Sequence, residues 1–188
     1  DLTESMLAKA KGDQLKYLQG NPLFALNTSL KGDGVKSYLQ KLGLWKFFRK
    51  NLGDHMDVAE TVITNLQGDV SLVFSNVVEV KEEYEGWDGQ MKTHSRPMPE
   101  MAFFADCKDG KAIMDVLNGL IPEGMEEANP DFKRLTNNVF SLNINGMTAY
   151  CGVKDNMFFC TNIKTVYDNV ESGVKKDNLL SDLSKGNY

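Results

Sequence analysis

Residues that carry much of enzyme and metal chemistry are scarce in this chain of 188 residues. It has three cysteines and two histidines. Cys107, Cys151 and Cys160 show no CxxC spacing, and His55 and His94 have no ligand neighbour at the spacing of a zinc motif. The sequence therefore predicts neither a metal site nor a cofactor.

Recognisable catalytic motifs are missing as well. The chain has no GxSxG nucleophile elbow, no SxxK pair, no GxGxxG fingerprint and no P-loop. We therefore expect a protein that is not an enzyme. A hydrolase-like enzyme, whose carboxylates would meet only in the fold, is the third choice among the functions considered below.

Long apolar runs and basic clusters are also lacking. No run approaches the ~20 apolar residues that span a bilayer, so no transmembrane segment is expected in this chain. The formal net charge is -5 and the basic residues are dispersed, which argues against a nucleic-acid partner. The nearest basic and aromatic stretch is 44–50, and its length favours an amphipathic helical turn packed on the core over a membrane anchor.

The chain does contain enough apolar material for one compact domain. Hydrophobic residues make up 41% and aromatic residues 10% of the sequence, so a core can form without a metal or disulfide staple. The periodicity predicts an α+β fold, with a mainly antiparallel sheet and helices packed on one face.

Local patterns place the elements along the chain. The first half is predicted to contain a helical N-terminal segment at 1–20, a strand at 23–30, helices at 35–42 and 56–66, a strand at 70–80 and a long hairpin tip or exposed loop at 81–99. The second half is predicted to contain a strand at 101–107, a helix at 110–120, a polar and partly helical segment to about 136, a three-stranded meander and a helix at 165–170.

Two turn signals set the register of the meander. Asn145-Gly146 is the typical pair of a type I′ hairpin, and Asp155-Asn156 is a weaker one. Two-residue turns at both places pair Ile144 with Met147 and Lys154 with Met157. One face is then apolar, with Phe140, Leu142, Ile144, Met147, Ala149, Cys151, Val153, Phe158 and Cys160. The other is mostly polar, with Ser141, Asn143, Thr148, Tyr150 and Thr161.

A faint internal repeat suggests how the domain is organised. Both 22–42 and 99–120 read as a proline, an apolar strand, a turn and a helix. We therefore divide the chain into the segment 1–20, a first strand–helix–strand unit at 21–98 and a second at 99–188, while two unrelated strand–turn–helix units remain the alternative. The turn-like end at 184–188 and the start at Asp1 suggest a fragment of a longer protein.

One segment has the character of an interaction surface. The predicted loop combines acidic and aromatic side chains: Glu82, Glu83, Tyr84, Glu85, Trp87 and Asp88. A charge run of this kind is usually a solvated face, but aromatic residues in an exposed loop also mark contacts with a protein or a glycan.

The cysteines leave two interpretations open. In the predicted register Cys151 lies directly opposite Cys160, at a position where Cα atoms are ~4.5 Å apart, which is just inside the disulfide range. A disulfide would close a loop that the hairpin already closes and would add little stability. The other interpretation is a pair of buried thiols acting as small core residues.

Four segments, at 22–27, 66–72, 100–105 and 150–161, carry a resemblance to known proteins. They resemble an uncharacterised family of Bacteroidetes lipoproteins known only as a domain of unknown function. Family members are typically longer than this chain. The resemblance implies an exported, lipid-anchored protein in the periplasm or at the cell surface, with anchoring in the outer membrane as one option. The lipobox cysteine is not in this sequence, so an anchor would lie outside it, and no functional residues are known to carry over.

The leading functional hypothesis is accordingly a non-enzymatic cell-envelope module for protein interaction or assembly. The alternative is a small-ligand or glycan-binding domain that uses the sheet, or Tyr84 and Trp87, as its platform.

Overall fold

A computed structural model describes residues 2–176, and in that range eight strands form one antiparallel sheet. The order across the sheet is β1-β2-β3-β4-β8-β7-β6-β5. The strands are β1 (Leu7–Ala8), β2 (Phe24–Lys31), β3 (Leu66–Glu85), β4 (Met91–Cys107), β5 (Phe132–Thr136), β6 (Val139–Ile144), β7 (Met147–Lys154) and β8 (Met157–Thr161). The predicted turn at 184–188 lies outside the described residues.

Seven α-helices and two short 3-10 helices complete this part of the chain. The α-helices are α1 (Leu2–Met6), α2 (Gly32–Lys41), α3 (Leu44–Leu52), α4 (Met56–Asn65), α5 (Gly110–Leu120), α6 (Met125–Ala128) and α7 (Lys164–Ser172). The 3-10 helices are Asp13–Tyr17 and Gly53–His55. None of the described helices is long and apolar enough to cross a membrane.

The α+β class and the antiparallel sheet are confirmed, and so is the register of the meander. Ile144 pairs with Met147 and Lys154 pairs with Met157. The backbone of Asn145 has φ 56° and that of Gly146 has φ 78°. A type I′ turn requires positive φ at both central positions, which is why the turn residues predicted the register.

One face of the sheet holds the main core, and we call it the core face. Cross-strand pairs place Val73 beside Ala102 and Phe104 beside Phe159, and these four side chains are fully or almost fully buried. The 3-10 helix Asp13–Tyr17 and α7 cover this face, contributing Leu15, Leu18, Val166 and Val170 to the same cluster. The core therefore lies between the centre of the sheet and these two helices.

The opposite face, which we call the open face, is apolar but only partly covered. At one end α5 packs Ile113 and Met114 against Val153 and Phe158. Elsewhere the side chains reach solvent, and Phe24 and Leu26 on β2 are 52% and 53% exposed. Helices therefore lie on both faces of the sheet, rather than on one as predicted, because α7 packs opposite α5.

The predicted helix at 1–20 is interrupted by a buried polar contact. Asp69, only 2% exposed, accepts hydrogen bonds from the backbone N–H groups of Lys11 (2.8 Å) and Gly12 (2.6 Å). Gly12 has φ 71°, which a continuous helix does not allow. Only α1 and the 3-10 helix form, because the contact with Asp69 holds residues 11 and 12 in another conformation.

Two further predictions concern polar segments of the chain. Of the two alternatives for 81–99, the hairpin forms and the exposed loop does not, since β3 continues to Glu85 and β4 begins at Met91. The polar segment before 136 contains only the short helix α6 and then an edge strand, β5. The end of β3, the start of β4 and the whole of β5 carry polar residues on both sides. They therefore lack the alternation of apolar and polar residues by which a half-buried strand is recognised.

The order of the elements agrees in part with the predicted repeat. Strand β2 leads into α2, and β4 leads into α5, in the order expected of each unit. The third element differs, because β3 pairs directly with β2, whereas β7 and β8 separate β4 from β6. The division into units at 21–98 and 99–188 stays a prediction.

Candidate functional site

The segment predicted to be an interaction loop is a two-stranded arm. Strand β2 pairs with β3 only as far as Phe74, and β8 pairs with β4 only from Ala102 onward. Residues 76–100 therefore pair only with each other, in a hairpin whose turn lies between Glu85 and Met91. At about 3.3 Å per residue the arm is about 30 Å long.

The middle of the arm is fastened to the β6–β7 turn. Arg96 donates one hydrogen bond to Glu82 Oε1 and one to the carbonyl oxygen of Asn145, each at 2.9 Å. A methyl group at Gly146 would lie 2.9 Å from Val80 Cγ1, so only glycine allows this approach. Two-stranded ribbons are marginally stable alone, and these contacts supply the arm with support from the sheet.

The six residues predicted as an interaction loop are distributed around the arm. By strand alternation Glu82 and Tyr84 share one side, and Glu83 and Glu85 share the other. Asp88 lies in the turn and pairs with Lys92 at 3.1 Å, and the hydrogen bond from Lys92 lowers the pKa of that carboxyl group. Trp87 forms the tip and is fully exposed. The arm thus brings aromatic and acidic groups to one projecting end.

A cleft of about 720 Å³ separates the arm from the β6–β7 turn. It is lined by Glu82, Tyr84, His94, Asp131 and Asn143, among others. In the sequence, His94 has no ligand neighbour at the spacing of a zinc motif. The carboxylates of Glu82, Glu83 and Asp131 line the same cleft, which is wide and open.

A second groove, of about 470 Å³, continues from this cleft along the core face of β5–β7. The two share Asp131 and Asn143. Its floor includes Tyr150, whose ring stacks on that of Tyr167 with centroids 4.3 Å apart. Aromatic and hydrogen-bonding side chains together make this groove the best-formed candidate for a small polar ligand. Tyr150 and Asn143 were predicted on the polar face, whereas Asp131 and Tyr167 carried no sequence signal.

A third pocket, of about 340 Å³, lies at the other end of the sheet beside the Asp69 contact. Its Asp106 accepts hydrogen bonds from Gln14 Nε2 and from the backbone N–H of Asp69, so both carboxylate oxygens are engaged. Burial raises the pKa of Tyr17 in this pocket, and the nearby carboxylates of Asp155, Asp106 and Asp13 raise it further. Tyr17 therefore stays protonated at neutral pH, and we assign these groups a structural role.

The cysteines lie apart from the arm and the grooves. Cys151 and Cys160 form a disulfide on the open face, with Cα atoms 4.1 Å apart. Cys107 is a buried free thiol, and burial raises its pKa. Between residues 4 and 176, no group of three or more His, Cys, Asp or Glu side chains is arranged to hold a metal ion.

Comparison with known proteins identifies the family without indicating an activity. No curated protein and no solved structure is significantly similar to the chain. A family model covers nearly the whole length, from residue 1 to residue 182, and its description is "Domain of unknown function (DUF4836)". The chain therefore belongs to this family of domains of unknown function.

Proposed function

We propose that this domain is a non-enzymatic protein-interaction module and that the arm is its contact element. The observation that carries the proposal is the fully exposed Trp87 at the tip of a braced, projecting hairpin. Tryptophan contributes strongly to binding when a partner buries it, and its exposure in a free protein has no benefit for folding. Tyr84 and Met91, also exposed, extend the apolar area of the tip.

The open face supports the same function. Its central strands carry apolar side chains that remain partly exposed, including Leu72, Phe74 and Phe103. No charged residue lies on this face of β3, β4 or β8 between residues 70 and 77, 99 and 107, or 158 and 160. Exposed apolar surface of this extent is typical of proteins that associate with others.

The proposed location is the cell envelope of a member of the Bacteroidetes. The resemblance to lipoproteins of that group supports an exported protein with a lipid anchor outside this chain, in the periplasm or at the cell surface. The Cys151–Cys160 disulfide supports an oxidising compartment. Fractionation of the host, with labelling of the intact cells by a membrane-impermeant reagent, distinguishes these locations from the cytoplasm.

Photo-crosslinking from the arm tests the proposed interaction. A photoreactive phenylalanine analogue replaces Trp87 in the protein expressed in its host, and the matched control carries it at Asn137, an exposed position in the β5–β6 turn. We expect a discrete adduct from position 87 that is absent from position 137. If both positions give the same adducts, or if position 87 gives none, the arm is not a contact element.

The groove favours a second candidate function, the binding of a small polar ligand or glycan. The observation that supports this function is that Tyr150, Asp131 and Asn143 line one continuous groove. A ligand that binds only the folded protein raises its melting temperature. A thermal-shift screen of oligosaccharides should give a shift that Asp131→Ala removes and that Glu123→Ala, a control at an exposed site, retains.

A further inference from the structure

We propose that the partner of the arm is a second copy of this chain, whose α2–α3 helix pair receives the arm tip in a head-to-tail contact. This inference rests on the proposed function and names the partner of the same site. It is carried by two surfaces that lie at opposite ends of the molecule and have complementary charge, matching charge spacing and exposed apolar side chains.

The receiving surface is strongly basic, although the whole chain is acidic. Residues 34–53 contain five cationic side chains and no carboxylate. Lys36 is engaged by Glu60. The other four are exposed and form no ion pair with any residue that the structure describes: Lys41, Lys46, Arg49 and Lys50.

Apolar side chains lie among these cations. Trp45 faces inward and is buried, and Phe48 on the same side of α3 is partly buried. On the outer side Phe47 is 59% exposed, and Leu42 in the preceding turn is 54% exposed. Packing of 44–50 on the core was predicted, and it holds for Trp45, whereas Phe47 and the neighbouring Lys46 and Lys50 face solvent.

The arm tip offers the complementary groups. Residues 82–88 contain four carboxylates and no cation. Arg96 engages Glu82, and Lys92 engages Asp88. Glu83 and Glu85 remain exposed without a partner among the described residues, and their side of the ribbon also carries Met91.

The spacing of the charges matches on the two surfaces. Lys46 and Lys50 are one turn apart on α3, which separates their Cα atoms by about 6 Å along the helix. Glu83 and Glu85 are two residues apart on one side of β3, which separates their Cα atoms by about 6.6 Å. Two parallel ion pairs therefore fit without distortion of either element, and Trp87 and Met91 then lie near Phe47 and Leu42.

The two surfaces cannot meet within one molecule. Strand β3 begins at Leu66, directly after α4, and α4 packs against both α2 and α3. The strand ends 20 residues later at the arm tip, up to about 60 Å away. A contact between different surfaces is heterologous, so each copy can receive one arm and donate another, and the product is an open chain or a ring.

Exchange of the two charge patterns tests the contact directly. We expect the mass of the wild-type protein, measured by sedimentation velocity, to rise with concentration above the 21.0 kDa of one chain and to fall again in high salt. The variants Glu83→Lys/Glu85→Lys and Lys46→Glu/Lys50→Glu should each lower the association constant at least about tenfold, because each places like charges together. Mixing the two variants should restore association.

A matched control separates the contact from net charge. Glu123→Lys/Glu127→Lys, at exposed positions before and within α6, changes the net charge by the same amount as the arm variant and should associate like the wild type. Circular dichroism checks that α3 remains folded in the Lys46→Glu/Lys50→Glu variant. Restoration on mixing also requires both variants to be folded.

The inference is overturned if the wild type stays monomeric at every concentration in low salt, or if the mixed variants fail to associate. A monomer that co-sediments with anionic vesicles through Lys46 and Lys50 assigns the helix pair to a membrane instead. If the crosslinker at position 87 captures a different protein while the purified chain stays monomeric, the arm keeps its proposed function and only the identity of the partner is wrong.

Discussion

The two faces of the sheet carry apolar side chains of similar size but differ in how fully they are covered. On the core face, Phe104 and Phe159 are completely buried beneath the 3-10 helix and α7. On the open face, their immediate neighbours Phe103 and Phe158 are only partly buried. The core face therefore contributes more to stability, because it removes more of its apolar surface from water within one chain, whereas much of the open face stays accessible to a partner.

The largest difference between the faces should come from truncating adjacent phenylalanines. Phe104→Ala should lower the free energy of unfolding by about 3–5 kcal/mol, because it leaves a cavity in the closed core. Phe103→Ala should cost about 1–2 kcal/mol, since part of the ring is in water in the folded protein as well. Urea denaturation measures both values. Equal losses would show that the open face is as important to folding as the core face.

The core face also depends on a buried carboxylate. Asp69→Ala should lower the free energy of unfolding by about 2–3 kcal/mol, because it leaves the N–H groups of Lys11 and Gly12 without their acceptor. Hydrogen exchange of residues 11–18 should accelerate at the same time. Asp131→Ala removes an exposed carboxylate and serves as the control, with an expected change within about 0.5 kcal/mol. Unchanged exchange at 11–18 would contradict the role given to Asp69.

Some parts of the fold could be predicted from the sequence and others could not. Turn chemistry at Asn145-Gly146 was sufficient for the register of the meander, since it depends on neighbouring residues alone. The burial of its polar face was not predictable from the pattern. Thr161 is buried there, and its hydroxyl donates to the carbonyl oxygen of Met101 at 2.8 Å, a contact between neighbouring strands of the sheet whose residues are far apart in the sequence.

The candidate site was predictable in composition but not in shape. The acidic and aromatic character of residues 82–88 was visible in the sequence, and it drew attention to Trp87. A hairpin tip was one of the two alternatives for 81–99, but the extent of its strands was not predictable, because they pair only with each other and are solvated on both sides, so no apolar alternation marks them. The groove through Asp131 and Tyr167 depends on the packing of α7, which the sequence pattern does not show.

The disulfide allows a smaller test of the open face. Replacing Cys151 and Cys160 by serine should lower the free energy of unfolding by about 1 kcal/mol, because the hairpin already closes the loop that they bridge. The unmodified protein, denatured without reductant, should expose one reactive thiol, that of Cys107. Three reactive thiols would show that the pair is reduced. In the folded protein Cys107 should react slowly, since burial both shields the thiol and raises its pKa.

The smallest effect on stability is expected at the exposed end of the open face. Phe24→Thr and Leu26→Thr place β-branched side chains, which suit a strand, on β2 and should change the free energy of unfolding by no more than about 0.5 kcal/mol. Val73→Thr, the matched change on the core face, buries a hydroxyl and should cost about 1–3 kcal/mol. Binding of a hydrophobic dye to the folded protein should fall for the two β2 variants, because they remove exposed apolar surface. A large loss of stability at Phe24 or Leu26 would mean that these side chains hold the sheet together, and the open face would then lose its distinction as a surface available to partners.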